Sequence, residues 1–262
     1  VDLLSVVFVD DDCGTGQDAT DHHHVAVDCA GRINLLTQGN QTLFNDGAFQ
    51  KQSSFVMDSE MVEITKSADN TISGTVPLFR TAAKVELTIT GVAESAKDAE
   101  GNVWVPNITV ADKVVTGANV TMYNARTTSS VGGAVQDFID GTHPELTGYG
   151  FSTSTVAGAL YKQTNPFYTY PHAWESSEQE AYLLLVVNWK KLNDEKNTTA
   201  TCYYEIPIGL ADNKAISRNH IYQIGINVGT LGSFVKEDPK LLTPSYMVVD
   251  WGTGNISAKI KG

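Results

Sequence analysis

The segment Ala82-Ala83-Lys84-Val85-Glu86-Leu87-Thr88-Ile89-Thr90 alternates apolar and polar side chains over most of its length. This period of two is typical of a β-strand with one buried face, because successive side chains of a strand point to opposite sides. We therefore predict that the apolar set faces the core and the polar set faces outward. The inward set is Val85, Leu87 and Ile89, and the outward set is Lys84, Glu86 and Thr88.

Strand-like patterns recur along the chain, whereas long helical periodicity does not. Turn-forming clusters such as Asp69-Asn70 and Glu100-Gly101-Asn102 separate them. This spacing favours an all-β fold of antiparallel β-sandwiches over βαβ units. Two stretches are less regular, residues 37–50 and the Gly/Ser/Thr-rich residues 132–164. The predicted strands are residues 3–9, 25–28, 52–57, 61–65, 71–76, 82–90, 119–123, 167–171, 182–189, 201–208, 220–228 and 246–251.

The chain length and the distribution of strands suggest two domains. A chain of 262 residues forms one large or two modest domains. Pro77 interrupts the pattern after the fifth predicted strand, and the remaining strands follow it. We predict an N-terminal β-sandwich domain at residues 1–77 and a C-terminal β-sandwich domain at residues 78–262.

The charge balance argues against two classes of partner. The chain carries 18 Lys and Arg against 30 Asp and Glu, a formal net charge of -12. Nucleic acids and anionic membrane surfaces both select clustered basic charge. We therefore expect neither to be a partner of this chain.

The cysteines and the Asp/His-rich loop near the N-terminus are candidate sites. Cys13 and Cys29 flank one polar loop and are predicted to form a disulfide, whereas Cys202 is expected to be a buried free thiol in a strand. The loop also holds side chains that can bind metal. These candidates are His22, His24 and Asp28. Two histidines on one strand face do not complete a zinc site, so we expect a solvated acidic loop and no cofactor.

Four blocks of sequence resemble the fimbrillins of Bacteroidales, the subunits of type V pili. Each block matches a segment of that family, and the four follow in the family's order. The blocks are Pro77-Leu78-Phe79-Arg80-Thr81-Ala82-Ala83-Lys84-Val85, Phe167-Tyr168-Thr169-Tyr170-Pro171, Tyr203-Tyr204-Glu205-Ile206-Pro207-Ile208 with Ser217-Arg218-Asn219-His220-Ile221-Tyr222, and Val248-Val249-Asp250-Trp251. Residues 1–60 resemble the family only loosely.

The resemblance implies two tandem transthyretin-like β-sandwiches, exported as a lipoprotein precursor and displayed on the outer membrane. It implies that a protease removes an N-terminal strand and leaves an acceptor groove in the first domain. A C-terminal strand of the neighbouring subunit fills that groove, and head-to-tail repetition gives a filament. The partners implied are neighbouring pilin subunits and a host or bacterial surface receptor.

The segment after Trp251 is the predicted donor strand. Two glycines give a flexible exit, and Asn255-Ile256-Ser257-Ala258-Lys259-Ile260-Lys261 then alternates. Ile256, Ala258 and Ile260 are expected to enter the neighbour's groove. On this interpretation the chain is the processed form of the subunit. The alternative is that the tail is simply the last strand of its own domain.

Three functions remain open at this stage. The first is a structural pilus subunit, which is not an enzyme. The second is a tip or accessory adhesin that binds a glycan or protein through aromatic residues. These aromatics are Tyr149, Tyr161, Phe167, Tyr168, Tyr170 and Trp174, for which core and loop packing is the simpler interpretation. The third is a secreted sugar-binding protein or hydrolase, although the sequence shows no nucleophile elbow or phosphate-binding glycine loop and no catalytic residue is assigned.

Overall fold

The computed structural model describes residues 2–4, 7–11, 54–58, 62–64, 71–126, 136–137, 146–209, 214–252 and 254–261. Within them the chain is almost entirely β-structure. The early strands are Asp2–Leu4 (β1), Val7–Asp11 (β2), Ser54–Asp58 (β3), Val62–Ile64 (β4) and Thr71–Arg80 (β5). Next come Ala83–Val92 (β6), Ala96–Lys97 (β7), Val103–Pro106 (β8), Thr109–Ala111 (β9), Val114–Tyr123 (β10) and Gln136–Asp137 (β11).

The second half of the chain continues in the same way. Its strands are Leu146–Thr153 (β12), Tyr161–Gln163 (β13), Phe167–Thr169 (β14), His172–Ala173 (β15), Tyr182–Lys191 (β16), Thr199–Pro207 (β17), Ala215–Ile216 (β18), His220–Val228 (β19), Lys240–Leu241 (β20), Ser245–Asp250 (β21) and Gly254–Lys261 (β22). Helical structure in the described residues is a single 3₁₀ turn at Ser177–Gln179. No helix among those residues is long and apolar enough to cross a membrane.

Strand β6 has the predicted alternation of buried and more exposed side chains. Val85, Leu87 and Ile89 have no exposed surface, whereas the polar residues between them are partly exposed. Strand β19 alternates in the same way, with Tyr222, Ile224, Ile226 and Val228 buried. The two strands therefore present apolar faces to a common core.

Most strands belong to one large sheet that gives a sandwich-like arrangement. The main path is β20-β17-β16-β10-β12-β13-β6-β19-β21, and four short strands attach beside it. The apolar faces of these strands enclose a single large cluster of buried residues. Trp189, Tyr204, Phe151 and Phe167 are among its largest fully buried members.

The prediction of antiparallel sheets was wrong for one long strand pair, near one end of the main path of this sheet. Strands β6 and β19 run parallel, from Lys84 opposite Ile221 to Val92 opposite Val228. A parallel pair needs a long crossover connection, and the long chain segment between β6 and β19 supplies one. The sheet is therefore mixed.

A second difference concerns residues 132–164, which the sequence marked as irregular. Strands β12 and β13 lie in that stretch, and β12 pairs with β10. A Cβ at Gly148 would lie 2.8 Å from Thr121 Oγ1 and 3.1 Å from the carbonyl oxygen of Val120. Glycine here thus permits close approach of two strands rather than marking a loop.

A smaller sheet joins the beginning and the end of the chain, in the order β2-β3-β5-β22. Strand β5 lies between β3, which it meets at Met57 opposite Arg80, and β22, the last strand. Strand β5 also runs through Pro77, so the predicted boundary falls within a strand. The division into domains at residues 1–77 and 78–262 stays a prediction.

Candidate functional site

The sequence blocks that carry the fimbrillin resemblance meet around the point where β5, β14, β19 and β21 come together. One residue from each of these places forms what we call the junction cluster. Arg80 ends β5, Tyr168 lies in β14, Asn219 precedes β19 and Trp251 follows β21. Residues that are distant in sequence thus form one site, directly before the chain enters the tail.

Asn219 connects three chain segments within the junction cluster. Its side-chain Oδ1 accepts a hydrogen bond from the backbone N–H of Arg80 (3.2 Å). Its own N–H donates to the carbonyl of Ala82 (2.9 Å), and its carbonyl accepts from the N–H of Trp251 (2.8 Å). The residue has a φ of 56°, in the left-handed region that asparagine tolerates better than most side chains.

Arg80 holds the backbone at the start of the tail. Its Nη1 donates to the carbonyl oxygen of Trp251 (3.3 Å) and to that of Gly252 (3.4 Å). The guanidinium carbon also lies 5.0 Å from the centroid of the Trp251 ring, which is a cation–π distance. The same side chain therefore binds both the ring and the carbonyls of the residues from which the tail departs.

A second aromatic ring stacks against Trp251. The rings of Tyr168 and Trp251 are nearly parallel, with centroids 5.8 Å apart. Both pack on a small apolar cluster made by Ala82 and Tyr170. Burial raises the pKa of Tyr170 to about 12, so the hydroxyl stays neutral over the physiological range.

The tail leaves the junction cluster at Gly252 and pairs with β5 of its own chain. Gly252 has a φ of 85°, a backbone conformation that glycine adopts without strain. Strand β22 then runs antiparallel to β5, from Gly254 opposite Leu78 to Lys261 opposite Thr71. Strand β22 therefore forms one edge of the small sheet.

The predicted donor residues all lie in β22. Ile256, Ala258 and Ile260 stand opposite Val76, Gly74 and Ile72, respectively. The structure pairs β22 within its own chain, and because the division into domains is itself a prediction, the alternative that the tail is the last strand of its own domain stays a prediction as well. Insertion of the tail into a neighbouring subunit stays a prediction.

The thiol and metal predictions have different outcomes. Cys202 is a buried free thiol in β17, as predicted, and burial raises its pKa to about 11. Cys13, Cys29, His22, His24 and Asp28 lie outside the described residues. In the part of the chain that the structure describes, no three His, Cys, Asp or Glu side chains are grouped so that they could hold a metal ion.

The aromatic residues considered for glycan binding are core and anchoring residues rather than an exposed platform. Phe167, Tyr170 and Trp174 are buried, and Phe167 packs at 5.2 Å against the ring of Tyr149. Tyr149, Tyr161 and Tyr168 are half-buried. The packing interpretation of the sequence is therefore the one that the structure bears out.

Sequence reasoning missed a pair of neighbouring carboxyl groups, Glu180 and Glu205. Desolvation raises the pKa of both, and the charge of Glu205 raises that of Glu180 further. Glu180 lines an open cavity of about 390 Å³ together with Trp174, Lys214 and Tyr246. The positive charge of Lys214 lowers the pKa of Glu180 and so offsets part of the rise caused by desolvation and by Glu205. The two residues are 25 positions apart in sequence, with nothing in the pattern to link them.

Comparison with known proteins finds a similarity to a fimbrial subunit over part of the chain. It is 33% identical over 86 residues to the major fimbrium tip subunit FimD of Porphyromonas gingivalis. That match covers 32% of this chain and 13% of the relative, so the chain spans only a small part of the curated relative's length. No protein-family model matches the chain.

A solved structure shows the same kind of fold. A "putative cell adhesion protein" from Bacteroides eggerthii superposes with a TM-score of 0.54 at 16% identity, over 83% of this chain and 71% of that one. A second such protein, from Parabacteroides distasonis, has a TM-score of 0.46 at 17% identity, over 85% and 81% of the two chains. The match to FimD supports the resemblance to a fimbrillin-like family, and the Bacteroides eggerthii structure shows the fold alone.

Proposed function

We propose that the chain is a structural subunit of a cell-surface fimbria and that it polymerises by donating strand β22 to a neighbouring subunit. The family resemblance and the similarity to a fimbrium subunit support a fimbrial or adhesive role. The observation that carries the polymerisation mechanism is the pairing of β22 with β5.

The same strand pairing can form between two chains as well as within one chain. The β22–β5 ladder has eight register pairs, and it is reached through a single left-handed glycine at residue 252. The ladder's hydrogen bonds are made by the backbone, so β5 of another copy can supply the same partners. Repeated head-to-tail exchange does not close on itself and therefore gives a filament.

The acceptor in this mechanism is the domain predicted at residues 1–77, whose groove is opened when an upstream strand is removed by proteolysis. Residues 71–76 of β5 belong to it. Val76, Gly74 and Ile72 are the positions that Ile256, Ala258 and Ile260 meet in register. We propose that the same register forms between subunits.

Deletion of residues 253–262 tests this mechanism. The truncated protein should remain a folded monomer by circular dichroism and should form neither fibres in negative-stain images nor SDS-resistant ladders. Ile256→Asp with Ile260→Asp should give the same result, whereas the matched pair Ile256→Val and Ile260→Val should still polymerise. Fibres formed by the truncated protein would show that another segment joins the subunits.

The proposal also sets the location and the partners of the subunit. We propose export as a lipoprotein precursor, outer-membrane association, and display on the cell surface beside copies of itself. Metabolic labelling with a palmitate analogue should mark the precursor but not the processed chain. Labelling of neither form would remove the lipoprotein step.

A tip or accessory adhesin is the second candidate, because the curated relative is named a tip subunit. The structure offers β22 as a strand that can be donated, which favours a building block of the shaft. Immunogold labelling of purified fimbriae separates the two functions. Label along the whole fibre supports a shaft subunit, and label confined to one end supports the adhesin.

A further inference from the structure

We propose that Arg80 is a positioning residue that latches the root of the tail and so keeps β22 on β5 of its own chain. This inference rests on the proposed function, in which release of the tail precedes exchange. It assigns the control of that release to one side chain of the junction cluster.

The register of the ladder explains why Arg80 is suited to this role. Gly254 pairs with Leu78, so continuing the same register brings Gly252 opposite Arg80. Arg80 therefore lies at the end of the ladder where the tail begins. Its Nη1 reaches the carbonyls of Trp251 (3.3 Å) and Gly252 (3.4 Å) at that point.

The latch is itself held in place on both sides. The backbone N–H of Arg80 is bound by Asn219 Oδ1 at 3.2 Å, and Asn219 also binds the N–H of Trp251 through its carbonyl. The Trp251 ring contacts both the guanidinium of Arg80 and the ring of Tyr168. A tail that swings away about Gly252 must break the Arg80 contact to the Gly252 carbonyl, while Trp251 keeps its ring contacts.

Charge-assisted hydrogen bonds to two adjacent carbonyls are stronger than neutral ones, and the planar guanidinium orients them. Removing them leaves the β22–β5 ladder intact but without its anchor at one end. Opening of an edge strand is a local unfolding event that is observable by amide hydrogen exchange. The latch therefore predicts faster local opening of β22 alone.

The test is hydrogen exchange with mass spectrometry on the full-length monomer, comparing peptides from β22 and β16. In Arg80→Ala, exchange in β22 should rise about tenfold while exchange in β16 stays unchanged. Arg80→Lys keeps the charge and one donor group, so it should give an intermediate rise.

Arg218→Ala is the matched control at the same junction. Arg218 Nη2 binds the carbonyl of Phe79 in β5 (3.5 Å), one residue before Arg80. Its removal should leave exchange in β22 close to wild type. An equal rise in Arg218→Ala, an equal rise in β16, or no rise in Arg80→Ala would each refute the latch.

These outcomes separate the latch from the proposed function. If the wild type forms no fibres and Arg80→Ala still accelerates exchange in β22, the polymerisation mechanism fails and the latch stands. If fibres form and Arg80→Ala leaves β22 unchanged, the latch fails and the mechanism stands.

Discussion

The indole N–H of Trp189 donates to the hydroxyl of Tyr204 at 3.1 Å, inside the core and between neighbouring strands β16 and β17. The Tyr204 hydroxyl in turn donates to the carbonyl of Thr230 at 2.9 Å. Tyr204→Phe leaves both partners without this hydroxyl. Because unpaired buried polar groups keep their full desolvation cost, we expect a loss of about 1–3 kcal/mol in the free energy of unfolding. Urea denaturation measures this loss in the free energy of unfolding. Tyr203→Phe, on the opposite face of β17, is the control.

Leu87 tests the core position of β6. It has no exposed surface and lies opposite Ile224 in the parallel pair. Leu87→Ala should lower the free energy of unfolding by about 2–5 kcal/mol, because a cavity remains where the side chain was. Thr88→Ala, on the outer face of the same strand, should change it by much less. Equal losses in the two variants would contradict the assignment of faces.

Asn219 should show a different order of substitutions. Its φ of 56° disfavours alanine but suits glycine, and both substitutions lose the bond from Arg80 N–H to Oδ1. Asn219→Ala should therefore unfold more easily than Asn219→Gly, by about 1 kcal/mol. Chemical denaturation of the two variants side by side gives this difference. A glycine variant that is no more stable than the alanine variant would show that the backbone conformation carries no cost.

His172 should make stability depend on pH. Burial lowers its pKa from 6.5 to about 4 in the folded chain. Between these values the unfolded chain binds the extra proton, so this contribution is fully present above pH 6.5 and is lost as the pH falls toward 4. The fall in pKa corresponds to roughly 3 kcal/mol at most. The urea midpoint should drop less between pH 7 and pH 4.5 in His172→Gln than in the wild type, and parallel profiles would exclude His172 as the cause.

Strands with a regular pattern could be predicted from the sequence because burial on one face leaves a period of two. Strand β6 shows that alternation, and the apolar run of β16 marks a strand whose one face is buried throughout and whose other face is partly exposed. Strand β12 could not be found in this way. Its glycines at 148 and 150 remove side chains from the pattern, and the role of Gly148 depends on how near β10 lies.

The candidate site could be predicted only in part. The sequence motifs supplied its members, because Arg80, Tyr168, Asn219 and Trp251 all lie in the blocks that resemble the family. Their meeting at Trp251 depends on pairing between strands distant in sequence, which local pattern does not encode. For the same reason the sequence did not predict which strand pairs with β22. Alternation within a strand does not show which sheet edge that strand joins.

The bond between Arg80 N–H and Asn219 joins residues 139 positions apart, and the parallel pairing of β6 with β19 spans a similar distance. Loop closure over that length must precede the contacts that reward it, so folding is expected to be slow. Strand β6 cannot pair with β19 until β19 has been synthesised. A nascent chain with this strand order cannot complete its core until most of the chain has been made. It therefore remains incompletely folded for much of its synthesis.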